Sequence, residues 1–317
     1  MVYQIKNGLD LPIEGKPVQD IGGSAEIKSV GIIADDYVGM RPTMLVDVGD
    51  RVKLGQPVFA DKKTPGVIFT SPGCGTVKAI NRGAKRKFES IEIDLDGDEQ
   101  EIFESFQDLQ SIPKEVIEKQ LVDSGMWQSF RTRPFSRTPA LGSEAHSIFV
   151  TATDTNPLSA EPELVISEYA ELFVSGLTVI NQLTLGKTYV CTRDDSRVPG
   201  EGIPDVEFKQ FKGPHPAGLA GTHIHMVDPV SENKTVWQIG YQDVIAIGHL
   251  FSTGQLMTER VVAIGGPRTS SPGLFKVRVG ACLDDAVMSS SPKLDNARVV
   301  SGSVLSGRRS EPTKNYL

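Results

Sequence analysis

Apolar residues at even spacing mark the first part of the chain as β-structure. Between Val46 and Ile80, the pairs Val46 and Val48, Val52 and Leu54, Val58 and Ala60, Val67 and Phe69, and Val77 and Ala79 each fall two apart. That is the period of half-buried strands. Gly49-Asp50, Gly55-Gln56 and Ser71-Pro72-Gly73 punctuate the run as turns. Glu26 to Ile33 and Ser90 to Leu95 alternate too and predict flanking strands, while Asn81 to Lys87 reads as a short basic turn. Met1 to Asp20 is expected to be extended, because Pro12 and Pro17 block long helices.

The pattern then changes period. Pro113 to Gly125 predicts a helix, with Ile117 and Leu121 on one face and Gly125 as its stop. Val165, Tyr169, Leu172, Phe173, Gly176, Ile180 and Leu183 trace one face of a long helix. That helix lies between predicted strands at Ser147–Ala152 and Lys187–Thr192, a βαβ arrangement that calls for a parallel sheet. Ligands in such folds sit beyond the carboxyl ends of the strands, here Thr153 to Asn156 and Arg193 to Ser196. Val206–Phe211 predicts a further strand, and the short stretch Trp237–Gly240, a helix within Tyr241–Met257 and a strand at Val261–Ile264 suggest a second strand–helix–strand unit. From Glu259 onward the order strand, turn, strand and short helix (Leu283 to Val287) predicts a β-grasp-type module. Ser301 to Leu317 reads as an open end without a closing cap. The expected organisation is therefore a mixed α/β (α+β) chain of three modules, spanning residues 1–106, 107–257 and 258–317.

Composition narrows the classes. With 317 residues, 39% hydrophobic and 23% charged, the chain reads as soluble and globular. A net charge of −7 without a long basic block argues against nucleic acid as a partner. No apolar run has the length of a membrane-crossing helix, and the N-terminus lacks the apolar core of a signal peptide, so a cytoplasmic location is expected. Cys74, Cys191 and Cys282 are too scattered for a disulfide framework or an iron–sulfur cluster and are expected to be small buried residues. Dinucleotide, P-loop and nucleophile-elbow motifs are absent.

Four stretches carry candidate chemistry. Asp35-Asp36-Tyr37-Val38-Gly39-Met40 pairs two carboxylates with an aromatic ring; the alternative, favoured by these residues alone, is a solvated turn. Phe130 to Pro139 holds three arginines (Arg131, Arg133, Arg137), two phenylalanines (Phe130, Phe135) and two prolines. Such a non-helical basic and aromatic loop suits an anion, a flat conjugated ring or an acidic protein surface, unless it is an ordinary loop with its phenylalanines tucked inward. His223 and His225 alternate around Ile224, so on a strand they would share a face, with His215 upstream. A hydrogen-bonded structural cluster is the expectation for these histidines, and a three-histidine metal site the alternative. Finally, Val46 to Ile80 resembles the barrel-sandwich-hybrid fold of lipoyl and biotinyl carrier domains, which would make Lys62 or Lys63 a modified lysine. The hairpin Asp61-Lys62-Lys63-Thr64-Pro65-Gly66 departs from the carriers' Met-Lys-Met or Asp-Lys-Ala context.

Longer motifs point to one family. Gly8–Pro17, Asp35–Phe59, Gly213–His225, Gly240–Leu256, Glu259–Asp285 and Val300–Arg308 resemble, in order, the NqrA family of the Na+-translocating NADH:quinone oxidoreductases. The resemblance implies a barrel-sandwich-hybrid module, a Rossmann-like α/β domain related to the flavin-bearing domain of respiratory complex I, and an SLBB-like β-grasp module. It also implies that family members continue beyond Leu317. In the place of the relatives' glycine-rich flavin loop stands Phe130 to Ser143, without those glycines, and the cluster cysteines are missing. Val150 to Pro162 resembles the acidic strand-end loop of the relatives' flavin site. The implied role is a cofactor-free subunit, peripheral on the cytoplasmic side of the bacterial inner membrane. Ubiquinone would be the substrate, with NAD, flavins and iron–sulfur in partner subunits, one of which spans the membrane. Candidate quinone-binding residues are then Asp35, Asp36, Tyr37, Met40, Phe130, Arg131, Arg133, Phe135 and Arg137. No catalytic residue and no metal ligand is expected.

Overall fold

A computed structural model describes residues 2–291 and 297–317. The alternating stretch forms two small sheets that face each other. One orders the strands Ser29–Ile33, Phe88–Leu95, Gly75–Arg82 and Arg51–Val52; the other orders Pro42–Met44, Pro57–Asp61 and Ile68–Thr70. Between them Val52, Val58, Val67, Val77, Ile91 and Ile93 are buried, and Phe59 stacks on Phe69 with ring centres 4.5 Å apart. Val48 departs from the even-spacing expectation and is 59% exposed. It sits in a turn rather than a strand, and the Asp50 carboxylate accepts the Asp47 amide across that turn.

The second module is the predicted parallel sheet. Its order is Val2–Gln4, Val206–Lys212, Thr188–Arg193, Ile148–Ala152, Val236–Gly240 and Arg131–Arg133, and only the last strand runs antiparallel. The opening segment therefore supplies an edge strand to this sheet, and Ile21–Ser24 supplies another to the third module. The helices are α1 (Lys114–Asp123), α2 (Pro162–Glu168), α3 (Ala170–Asn181), α4 (Ala220–Val227), α5 (Tyr241–Thr253) and α6 (Leu283–Met288). α5 ends on Gly254 in the left-handed conformation, as a glycine stop should.

The expected second strand–helix–strand unit does not close, because after α5 the strand Glu259–Ile264 pairs within the third module's sheet. Two more expectations fail here. The single long helix is two, broken at Tyr169, whose ψ of 37° leaves the helical range. The bend divides one apolar stripe between two partners. Val165 on α2 packs against Val261 and Leu274 of the third module, while Phe173, Leu177 and Ile180 on α3 join the main core. The second failure concerns His223 and His225, which lie on α4 and not on a strand. A few alternating residues cannot separate the two periods, and Ile224 of α4 packs with Phe149 and Phe211.

The third module pairs Glu259–Ile264 antiparallel with Gly273–Arg278, adds Ile21–Ser24 in parallel, and places α6 after the hairpin. The final segment packs back onto the barrel and the third module. Tyr316 is buried, its hydroxyl donates to Glu92 at 3.0 Å, and Cys282 bridges to Tyr316. Cys74 and Cys191 are buried as expected, whereas Cys282 is half-buried.

Candidate functional site at the junction of the modules

Strand Ser29–Ile33 runs into one 3-10 turn, Ala34–Asp36, and that turn sends its two carboxylates different ways. Asp35 is held by Lys314 at 2.7 Å and Lys87 at 2.6 Å, and these ammonium groups keep its carboxyl below the usual range. Asp36 accepts Arg308 at 3.1 Å, and its backbone carbonyl accepts Arg131 at 3.3 Å. Tyr37 follows, edge-on to Phe69 at 4.7 Å, with the Arg131 guanidinium 5.1 Å from its ring centre. Burial pushes the Tyr37 hydroxyl up to about 12, so it stays protonated, and it makes no hydrogen bond among the described residues.

Tyr37, Asp36 and Arg131 border a cavity of about 240 Å³ where all three modules meet. The α/β module adds Gln128 and Asp243, and the third module adds Arg260. Arg260 is nearly buried, pairs with Asp243 at 3.3 Å and donates to the carbonyls of Met257 and Glu259. The side-chain oxygen of Gln128 is buried without a partner among the described residues. Gln128, Asp243 and Arg260 have no counterpart among the sequence candidates. Each sits in an unremarkable local context, and only packing brings them to Tyr37.

The other candidates divide. Asp35, Met40 and Arg137 line an open cleft on the barrel side, which shares Tyr37 with the cavity. Arg133 donates to Gln238 at 3.0 Å across the antiparallel strand pair. Phe135 is 78% exposed on a tight turn. Phe130 must be corrected as a wall of any open site. Its ring is fully buried between Trp127 and Trp237, at 5.7 Å from each, so it supports the site from behind.

At the strand ends of the α/β sheet, Asp154 accepts both the amide and the side chain of Asn156, at 2.7 and 2.8 Å. Burial raises its carboxyl above the usual range. Thr155 contacts His215 at 3.2 Å and accepts the Gly218 amide at 2.9 Å, which fastens this loop to the following Gly- and Pro-rich stretch. Arg193 is held by Glu161 and Asp195.

The three histidines do not converge. His215 faces Thr155, His225 is exposed, and His223 is fully buried against Phe211. Among the described residues no group of three or more His, Cys, Asp or Glu side chains is placed to hold a metal. Nε2 of His223 donates to the Ala217 carbonyl at 2.8 Å, and Nδ1 has no partner among the described residues. Burial lowers this imidazole from 6.5 to about 4. The unfolded chain then takes up its proton at higher pH than the fold does. Stability should fall by up to about 3 kcal/mol as pH drops from 6.5 to 4. His223→Gln, which keeps the donor, should flatten that part of the curve. Parallel melting curves for the two proteins across this window would count against the assignment.

The modules match known descriptions in chain order. "NqrA N-terminal barrel-sandwich hybrid domain" matches residues 3–96, "NqrA second alpha/beta domain" 112–256 and "NQRA C-terminal domain" 261–311. Barrel, α/β sheet and SLBB-like module in this order define a component of a multi-subunit oxidoreductase complex. The corresponding subunit of the Na(+)-translocating NADH-quinone reductase of Rhodopirellula baltica is 50% identical over all of this chain and 70% of its own length. Those of Saccharophagus degradans and Cellvibrio japonicus are 51% and 52% identical, each over all of this chain and 71% of their own. The chain belongs to the NqrA family of Na+-translocating NADH-quinone reductase subunits. An air-oxidized NAD+-reducing [NiFe]-hydrogenase superposes at a TM-score of 0.45 and 12% identity, over 66% of this chain and 47% of that one. A likeness that slight has no functional weight. Among the described residues no helix is long and apolar enough to cross a membrane.

Proposed function

We propose that this chain is the peripheral, cytoplasmic-side subunit of a Na+-translocating NADH:quinone reductase that steadies the complex and supplies part of the wall of its ubiquinone-reduction site. It carries no redox group of its own in this reading; NAD, flavins and iron–sulfur belong to partner subunits, and a membrane subunit docks beside the cavity. The observation that carries the proposal is the meeting of Tyr37 and Arg131 at the three-module junction. A quinone head is flat and presents two carbonyl oxygens, so it needs a flat wall and hydrogen-bond donors. Tyr37 supplies a ring and a protonated hydroxyl without a partner, and Arg131 supplies a cation that offsets the negative charge gathering on the quinone oxygens as electrons arrive. The carrier-lysine and three-histidine alternatives lack such support. The histidines diverge, and Lys62 and Lys63 line the open cleft.

The test uses the assembled complex. Tyr37→Phe should lower kcat/KM for quinone roughly tenfold, the worth of one hydrogen bond, and Arg131→Ala should lower it further. NADH oxidation by an artificial acceptor should stay unchanged. Unaltered quinone reduction and inhibitor binding in both variants would sink the proposal.

A further inference from the structure

The cleft on the barrel side has about 1030 Å³ of open volume and a one-sided charge. Lys62 and Lys63 come from one hairpin, Arg82, Lys85 and Arg86 from the next, and Arg41 and Arg137 from its two ends. All seven are exposed, and none makes an ion pair among the described residues. The single carboxylate in the lining, Asp35, is already taken by Lys87 and Lys314. Seven uncompensated cations thus share one face of a chain whose net charge is −7. The backbone supports this display. Lys85 and Arg86 both adopt positive φ, 55° and 58°, at a turn where glycine or asparagine would sit without strain. Across the cleft Phe135 and Ser136 do the same, at 80° and 54°. Non-glycine residues kept in such conformations point to a use for their side chains. The rim also exposes apolar groups: Val38 at 52%, and Phe135 at 78% on the turn that carries Arg137.

We propose that this face docks on an anionic phospholipid bilayer, with lipid phosphates in the basic cleft and Phe135 and Val38 at the level of the headgroups. A free anion would use the cations but not the exposed apolar rim. A bilayer surface uses both, and the acidic remainder of the chain is repelled from it, so one orientation results. The inference does not depend on quinone binding, because the cleft shares only Tyr37 with the junction cavity and the test contains no quinone.

The purified chain should sediment with phosphatidylcholine vesicles that contain phosphatidylglycerol, and should not sediment with phosphatidylcholine alone. Binding should weaken as salt rises. Each cation removed should weaken it roughly fivefold, so Lys62→Ala, Lys63→Ala and Arg86→Ala together should weaken it on the order of 100-fold, with melting unchanged. Phe135→Trp should shift its emission to the blue on vesicles. Four results would overturn the proposal. They are equal binding to both vesicles, an undiminished triple variant, full displacement by millimolar inorganic phosphate, and capture of polyglutamate without capture of vesicles.

Discussion

Phe130→Ala is expected to destabilise the fold by about 3–5 kcal/mol, while Phe135→Ala in the same loop should change stability by less than about 0.5 kcal/mol. The two rings differ only in where the backbone points them. Phe130 is 0% exposed and closes a cluster with Trp127 and Trp237, which meet edge to face at 5.4 Å. Trp127 also ties down the far end of the loop, since its indole N–H donates to the Pro139 carbonyl at 2.9 Å. Truncating Phe130 leaves a void beside two indoles, and that of Trp127 cannot collapse into it without breaking that bond. Phe135 has no such neighbours, because positive φ at Phe135 and Ser136 turns its ring outward. Urea unfolding followed by tryptophan fluorescence will separate the two variants, and similar midpoints for both would refute this reading of the loop.

The second large effect is expected at Gly248. A β-carbon there would lie 1.9 Å from the Leu172 carbonyl oxygen, and one at Gly176 would lie 1.9 Å from the Val244 carbonyl oxygen. α3 and α5 therefore touch backbone to backbone through two facing glycines. Alanine is the better helix former by about 1 kcal/mol. To admit one methyl group, however, the helices must move apart, which loosens Phe173, Leu177, Ile247 and Leu250 along the same seam. Gly248→Ala should cost a net of about 3 kcal/mol or more. A thermal melt of Gly248→Ala at or above that of the parent would contradict the close approach.

How much of the site is legible in the sequence follows from the range of the forces involved. Asp35 to Met40 stand out because carboxylates and an aromatic ring lie side by side in the chain, and Tyr37 and Asp36 do reach the junction cavity. The composition of its loop marks Arg131, but nothing local distinguishes it from Arg133, which turns to Gln238. Gln128, Asp243 and Arg260 give no local signal, because their meaning depends on partners from other modules. The His-Ile-His alternation misleads, since so short a pattern fits a strand and a helix equally well.

Periods of 2 and 3.6 residues are local, and the barrel strands, the first βαβ order and the succession of three modules are all written in them. Contacts between modules are not periodic. Which phenylalanine turns inward, why Gly176 and Gly248 are glycines, how Tyr169 bends one apolar stripe toward two cores, and how Tyr37 comes to face Arg131 are decided by tertiary packing. Each depends on the shape of a surface contributed by residues far away in the chain, and no stretch of sequence carries the shape of its partner.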